Sequence, residues 1–159
     1  MTSTEPAPGG DADRPSDPAA AALYDALAGE HATIWGYGIV SAHSTPDENW
    51  LVSEAIAGHR EQREALLDML AAQQVQPPLA APGYQLPSVV NDPDAAAALA
   101  VQMENDSAVA WRAVLEQSPS PQDRTYAVQA LTRSAVLAAR WQQILGEWPI
   151  STAFPGGPE

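Results

Sequence analysis

Residues 76–93 read QPPLAAPGYQLPSVVNDP, and the direction of every helix in the chain turns on what this stretch does. Its prolines are incompatible with a helix interior, and it is far too long for a hairpin turn between helices. At about 3.3 Å per extended residue it can run back along a helix of about 28 residues, each rising about 1.5 Å. The helices on either side of it then point the same way. Its apolar Leu79, Tyr84, Leu86 and Val90 predict a strap laid on the protein, with a free linker as the bland alternative.

Working outward, prolines mark the helix starts. Asp17-Pro18, Thr45-Pro46, Asp92-Pro93 and Ser120-Pro121 each put a capping side chain before a proline. Proline suits the first helical position because its missing N–H has no intrahelical partner there, while the preceding oxygen can accept an orphan N–H. Thr45 with Glu48 also forms a capping box, and Ser120 with Asp123 is an acidic variant of it. The segments that follow, about 18–42, 46–75, 93–117 and 121–147, are rich in Ala, Leu, Gln, Glu and Arg, which favour helix. Short links join the first and second segments and the third and fourth, so each pair is antiparallel. Two antiparallel pairs joined by one long crossover between helices 2 and 3 is the connectivity of an all-α, ferritin-like four-helix bundle.

The chain has 159 residues, 45% of them hydrophobic, which is one domain with one core. The formal net charge of −13 repels phosphate backbones and anionic lipid, so neither nucleic acid nor a membrane is an expected partner. There is no cysteine, which excludes disulfides and thiolate metal sites. No segment is long and apolar enough to cross a bilayer, and the start lacks the basic and apolar regions of a secretory signal. The expectation is a cytoplasmic protein with an acidic, proline-rich tail at 1–17, the bundle at 18–148 and a flexible tail at 149–159.

Helical spacing gives Leu23, Leu27, Glu30, Ile34, Tyr37 and Ser41 as the inner stripe of the first helix. The same arithmetic gives Val52, Ile56, His59, Arg63, Leu66 and Leu70 on the second, and Ala97, Val101, Glu104, Ala108, Trp111 and Leu115 on the third. The fourth reads Tyr126, Ala130, Arg133, Leu137, Arg140 and Ile144. Every helix thus carries an inward polar group near its middle. Burying a charge costs several kcal/mol, of order 5, unless it is paired, hydrogen-bonded or metal-bound. Two solutions exist. Arg63 and Arg133 can neutralise Glu30 and Glu104, with His59 completing a buried network; or Glu30, His59 and Glu104 can hold a single iron or zinc ion.

A di-iron bundle site needs one Glu from each of two helices and a Glu-x-x-His unit from each of the other two. Here His31, His43 and His59 are the only histidines, Ile56 stands three residues before His59, and the fourth segment has no carboxylate between Asp123 and Glu147. The dinuclear site is therefore lost, and the network reading, with no cofactor, is preferred. His31 reads as a flanking histidine and His43 as a turn residue. Trp35, Trp50, Trp111, Trp141 and Trp148 read as packing. Gly36 and Gly38 around Tyr37 read as a point of close helix approach. No triad, phosphate loop or other catalytic motif is present.

The runs ALYDALAGEHATIWGYGIV, GHREQREALL, LAVQMENDSAVAWRAVLEQ and ALTRSAVLAARW, in this order across residues 19–146, resemble the actinobacterial ferritin-like proteins built on a domain of unknown function. The resemblance implies a four-helix ferritin-like fold and no established activity. Glu30, His59 and Glu104 match polar positions of that pattern. The expected function is non-catalytic, through contact with an unknown protein partner or binding of a small ligand, with the reduced metal site for redox or storage work as the alternative. A homodimer through the first two helices, around Trp35, the glycines and Trp50, is a further expectation.

Overall fold

A computed structural model describes residues 13–157. Four helices carry them: α1 Pro18–His43, α2 Asn49–Ala72, α3 Pro93–Gln117 and α4 Pro121–Leu145. No strand occurs among the described residues. Three helices begin as their sequences require, with Asp17 accepting the Ala20 N–H at 3.0 Å, Asp92 that of Ala95 at 2.8 Å and Ser120 that of Asp123 at 3.2 Å. The Thr45-Pro46 start differs. It opens a 3-10 turn at Pro46–Glu48, in which the Glu48 carboxylate accepts the Thr45 N–H at 2.9 Å, and α2 follows from Asn49. Gly146, in the left-handed conformation with φ 71°, ends α4.

Two apolar clusters fix the directions. One joins Tyr37 and Val40 of α1 to Leu51 and Val52 of α2, Ala97 and Ala100 of α3, and Leu137 and Trp141 of α4. The other joins Leu23 and Leu27 to Leu66 and Leu70, Trp111 and Val114, and Ala127 and Ala130. The late part of α1 therefore meets the early parts of α2 and α3 and the late part of α4. It follows that α2 and α3 run parallel, as the length of the crossover demands. Gly36 lets α1 and α3 approach closely, because a Cβ there would overlap the sulfur of Met103.

The crossover lies on the bundle. Leu86 and Val90 pack on the first cluster, the Tyr84 ring sits 5.8 Å from that of Trp35, and His31 Nε2 donates to the Pro78 carbonyl at 3.3 Å. Leu79 departs from expectation and is 89% exposed. The C-terminal segment, expected to be a flexible tail, is laid against α3. Arg112 Nη1 donates to the Gly156 carbonyl at 3.1 Å, and a Cβ on Gly156 would come within 2.7 Å of the Ala108 carbonyl oxygen. Of the expected N-terminal tail, residues 1–12 lie outside the described residues; Arg14 pairs with Asp25 at 2.6 Å. No helix is long and apolar enough to cross a membrane among the described residues.

Candidate functional site

Between the two apolar clusters lies a polar layer to which all four helices contribute. His59, near the middle of α2, brings Nδ1 to 2.7 Å from Glu30 Oε2 on α1 and Nε2 to 3.0 Å from Glu104 Oε1 on α3. A carboxylate oxygen only accepts, so both ring nitrogens must donate and the imidazole is a cation. Burial alone would lower the pKa of His59. The hydrogen bonds and charges of Glu104 and Glu30 outweigh it and raise the pKa from 6.5 to about 10. The three side chains are 0–2% exposed.

Each acid is held at a second point. Glu30 Oε1 accepts the Trp111 indole N–H at 3.0 Å and the Ser107 hydroxyl at 3.4 Å, and Ser134 on α4 donates to Ser107 at 3.1 Å. Glu104 Oε1 also accepts the Tyr37 hydroxyl at 2.5 Å, and Trp141 Nε1 donates to that hydroxyl at 3.0 Å. Burial first, and then the charge of Glu104, push the Tyr37 hydroxyl well above its usual pKa. Among the described residues, Glu104 Oε2 and the Gln62 amide are buried without a hydrogen-bond partner.

The structure thus brings Glu30, His59 and Glu104 together and leaves Arg63 and Arg133 outside. This corrects the expected arginine partners. Arg63 donates to the neighbouring Glu64 at 2.7 Å, and Arg133 lies on the outside of α2, 3.3 Å from Glu61 and 3.5 Å from the Gly58 carbonyl. Arg140 likewise pairs with Glu54 at 2.9 Å, over the ring of Trp50. On α2 Val52, His59, Leu66 and Leu70 face inward as read, with Gln62 buried in place of Arg63; on α4 Ala130 and Leu137 face inward as read, with Ala127, Ser134 and Trp141 buried in place of Tyr126, Arg133 and Arg140. Sequence reading also missed Tyr37 and Trp111 as donors. The signal was present, since both stand on the same stripes as Glu30 and Glu104.

As arranged, these donors do not fit a metal. Both His59 nitrogens are taken by carboxylates, Ile56 stands where a Glu-x-x-His unit needs its acid, and α4 offers Ser134 and Trp141. No cluster of three or more His, Asp or Glu side chains is placed to hold an ion among the described residues.

Beside this layer, between α1 and α3 and under residues 84–87 of the crossover, is a cleft of about 320 Å³. Glu30 and Ser107 belong to both the cleft wall and the polar layer. Trp35, Tyr84, Met103 and Asp106 line the rest, with Gly29 leaving open space where a side chain would be. The volume is within the usual range for small-molecule sites, about 300–1,000 Å³.

Fold and site define a four-helix protein with a parallel middle pair, tied at its centre by a Glu–His–Glu bridge. The chain belongs to the family described as Domain of unknown function (DUF4439), which matches residues 22–159. It is similar to a conserved hypothetical protein, rv2844, from Mycobacterium tuberculosis, known from a crystal structure. The two are 56% identical and superpose with a TM-score of 0.79, covering 86% of this chain and 96% of that one. Among curated proteins, none matches.

Proposed function

We propose that the protein is a ferritin-like bundle whose di-iron site has been lost to an internal Glu–His–Glu bridge, and that it acts without catalysis, by binding a small ligand. The observation that carries this reading is the cleft beneath the crossover, which shares Glu30 and Ser107 with the bridge, so that a ligand there would touch the part of the core that ties the helices together. Native mass spectrometry of protein purified from its own host tests it. A small molecule retained at one per chain, and lost in Gly29→Leu, is the expected result. Iron or zinc at one per chain, lost in His59→Ala, would overturn it.

A second reading, one iron or zinc ion on Glu30, His59 and Glu104, has one observation in its favour, the buried Glu104 Oε2 without a partner. It requires His59 to give up a proton held up to about pH 10 together with both carboxylate bonds. Contact with a second copy through α1 and α2 is a lesser part of the proposal. Trp35 and Gly36 are engaged within the chain, against Tyr84 and Met103, so the support rests on Trp50, 59% exposed. Monomer behaviour in analytical ultracentrifugation at tens of micromolar would remove it.

A further inference from the structure

The cleft between α1 and α3 has a definite chemical character. Its charged lining consists of two acids, Glu30 in the wall and Asp106 on α3, and no Lys, Arg or His lines it among the described residues. Two aromatic side chains, Trp35 from α1 and Tyr84 from the crossover, stand on its outer side with ring centroids 5.8 Å apart. Most of the remaining lining is apolar, including Leu86, Leu99 and the Met103 thioether. The polar layer behind Glu30 contains two acids and a single base, so the bridge does not cancel its own charge when both acids are ionised. The chain as a whole carries −13, which favours the approach of cations.

An anion entering this space meets the Asp106 carboxylate and no basic side chain in the lining, the His59 cation being already shared by Glu30 and Glu104. A neutral apolar molecule satisfies the walls and brings no countercharge to Asp106. A small organic cation satisfies both, since aromatic faces attract ammonium groups and a carboxylate bonds them directly. From the acid-only lining, the aromatic pair and the volume of about 320 Å³ we infer that the α1–α3 cleft is a binding site for a small organic ammonium compound, with Asp106 as the anionic group, Trp35 and Tyr84 as the aromatic side, and Glu30 acting through its field while it stays bonded to His59, Trp111 and Ser107. This inference rests on the small-ligand reading above and names the class of ligand.

Three molecules of nearly one shape separate the charge question from the ligand question: phenethylamine, phenethyl alcohol and phenylacetate. Each is titrated into the full chain, following the Trp35 indole resonance by NMR. Phenethylamine is expected to shift Trp35 and to bind about tenfold more tightly than the alcohol, with phenylacetate weakest. Asp106→Asn, at an exposed position on α3, is expected to reduce that preference to about twofold without lowering the melting temperature. Gly29→Leu, where the added side chain enters open space and the helix loses a glycine, is expected to abolish binding of all three in a protein that melts no lower than the parent. Phenylacetate or the alcohol moving Trp35 as tightly as the amine would overturn the cationic assignment and leave the small-ligand reading standing. Amine binding that neither variant weakens would overturn the assignment of the site. No shift of Trp35 by any of the three at about 10 mM would overturn the ammonium assignment, while the small-ligand reading stands or falls by the native mass spectrum.

Discussion

The centre of the bundle and its surface hold charges of the same kinds at nearly the same distances, yet the two sets differ in worth. Inside, His59 lies 2.7 Å from Glu30 and 3.0 Å from Glu104, all three almost fully buried. Outside, Arg63 lies 2.7 Å from Glu64, with 32% and 62% of their side chains exposed, and Arg140 lies 2.9 Å from Glu54. Exposed pairs contribute about 0–1 kcal/mol, because water solvates each ion nearly as well as the partner does. Removing one member of a buried pair costs about 3–5 kcal/mol, because the other is left charged in a medium that cannot solvate it. Distance therefore does not rank these pairs. What ranks them is the environment of the group that stays behind.

The sharpest way to break the comparison is His59→Leu, which keeps much of the volume and removes the shared cation from two buried acids. Denaturant unfolding should show a loss of about 3–5 kcal/mol. A loss below about 1 kcal/mol would place His59 with the surface pairs. Adding Glu30→Gln and Glu104→Gln to that variant should restore much of the loss, since a buried charged cluster replaced as a whole is often neutral in cost.

Next in size is the dependence on pH. The pKa of His59 is raised in the folded protein, to about 10 from 6.5. The stability it contributes is therefore fully present below pH 6.5 and lost as pH rises through about 10. The expected decline across that window is a few kcal/mol, about 1.4 per unit of pH at most. His59→Leu should lack this component. A parent stability that stays level from pH 6.5 to 10 would mean that the bridge does not hold the proton. Glu104→Gln follows, at about 2 kcal/mol. It retains the shape and an acceptor for Tyr37 while removing one of the two charges that hold His59.

How much of this was legible in the sequence differs between the backbone and the side chains. Proline at the first turn of each helical segment and the length of residues 76–93 are local facts, and they fixed helix number and direction. The inward position of Glu30, His59 and Glu104 was also legible, because each sits among apolar neighbours at helical spacing on one helix. Their partners were not. Arg63 and Gln62, or Arg133 and Ser134, are adjacent in the sequence and lie about 100° apart on a helix. A stripe position read one residue out exchanges a surface arginine for a buried neutral group, and α2 and α4, with polar residues on both sides of the seam, give little local signal to correct it. Ala127, Ala130, Ser134, Leu137 and Trp141 form the buried stripe of α4 only when small residues are counted as core. That the cation would be the histidine itself depended on which side chains three other helices bring to it, which no single helix encodes.

The smallest expected effect is also the one that most directly separates the two regions. Arg133 Nη1 reaches Glu61 at 3.3 Å and the Gly58 carbonyl at 3.5 Å, and the stem of the side chain lies on Gly58, with Cδ 3.2 Å from where a Cβ would stand. Methionine at 133 keeps that stem and gives up only the exposed charge. Unfolding of Arg133→Met should therefore fall within about 0.5 kcal/mol of the parent, and Arg63→Met should behave alike. If Arg133→Met instead cost as much as Glu104→Gln, the guanidinium would have to be stabilising the buried acids across the width of α2. The charge of the core would then be shared between a histidine and an arginine, and the boundary between inside and outside would lie one helix face further out than the geometry of Gln62 and Ser134 draws it.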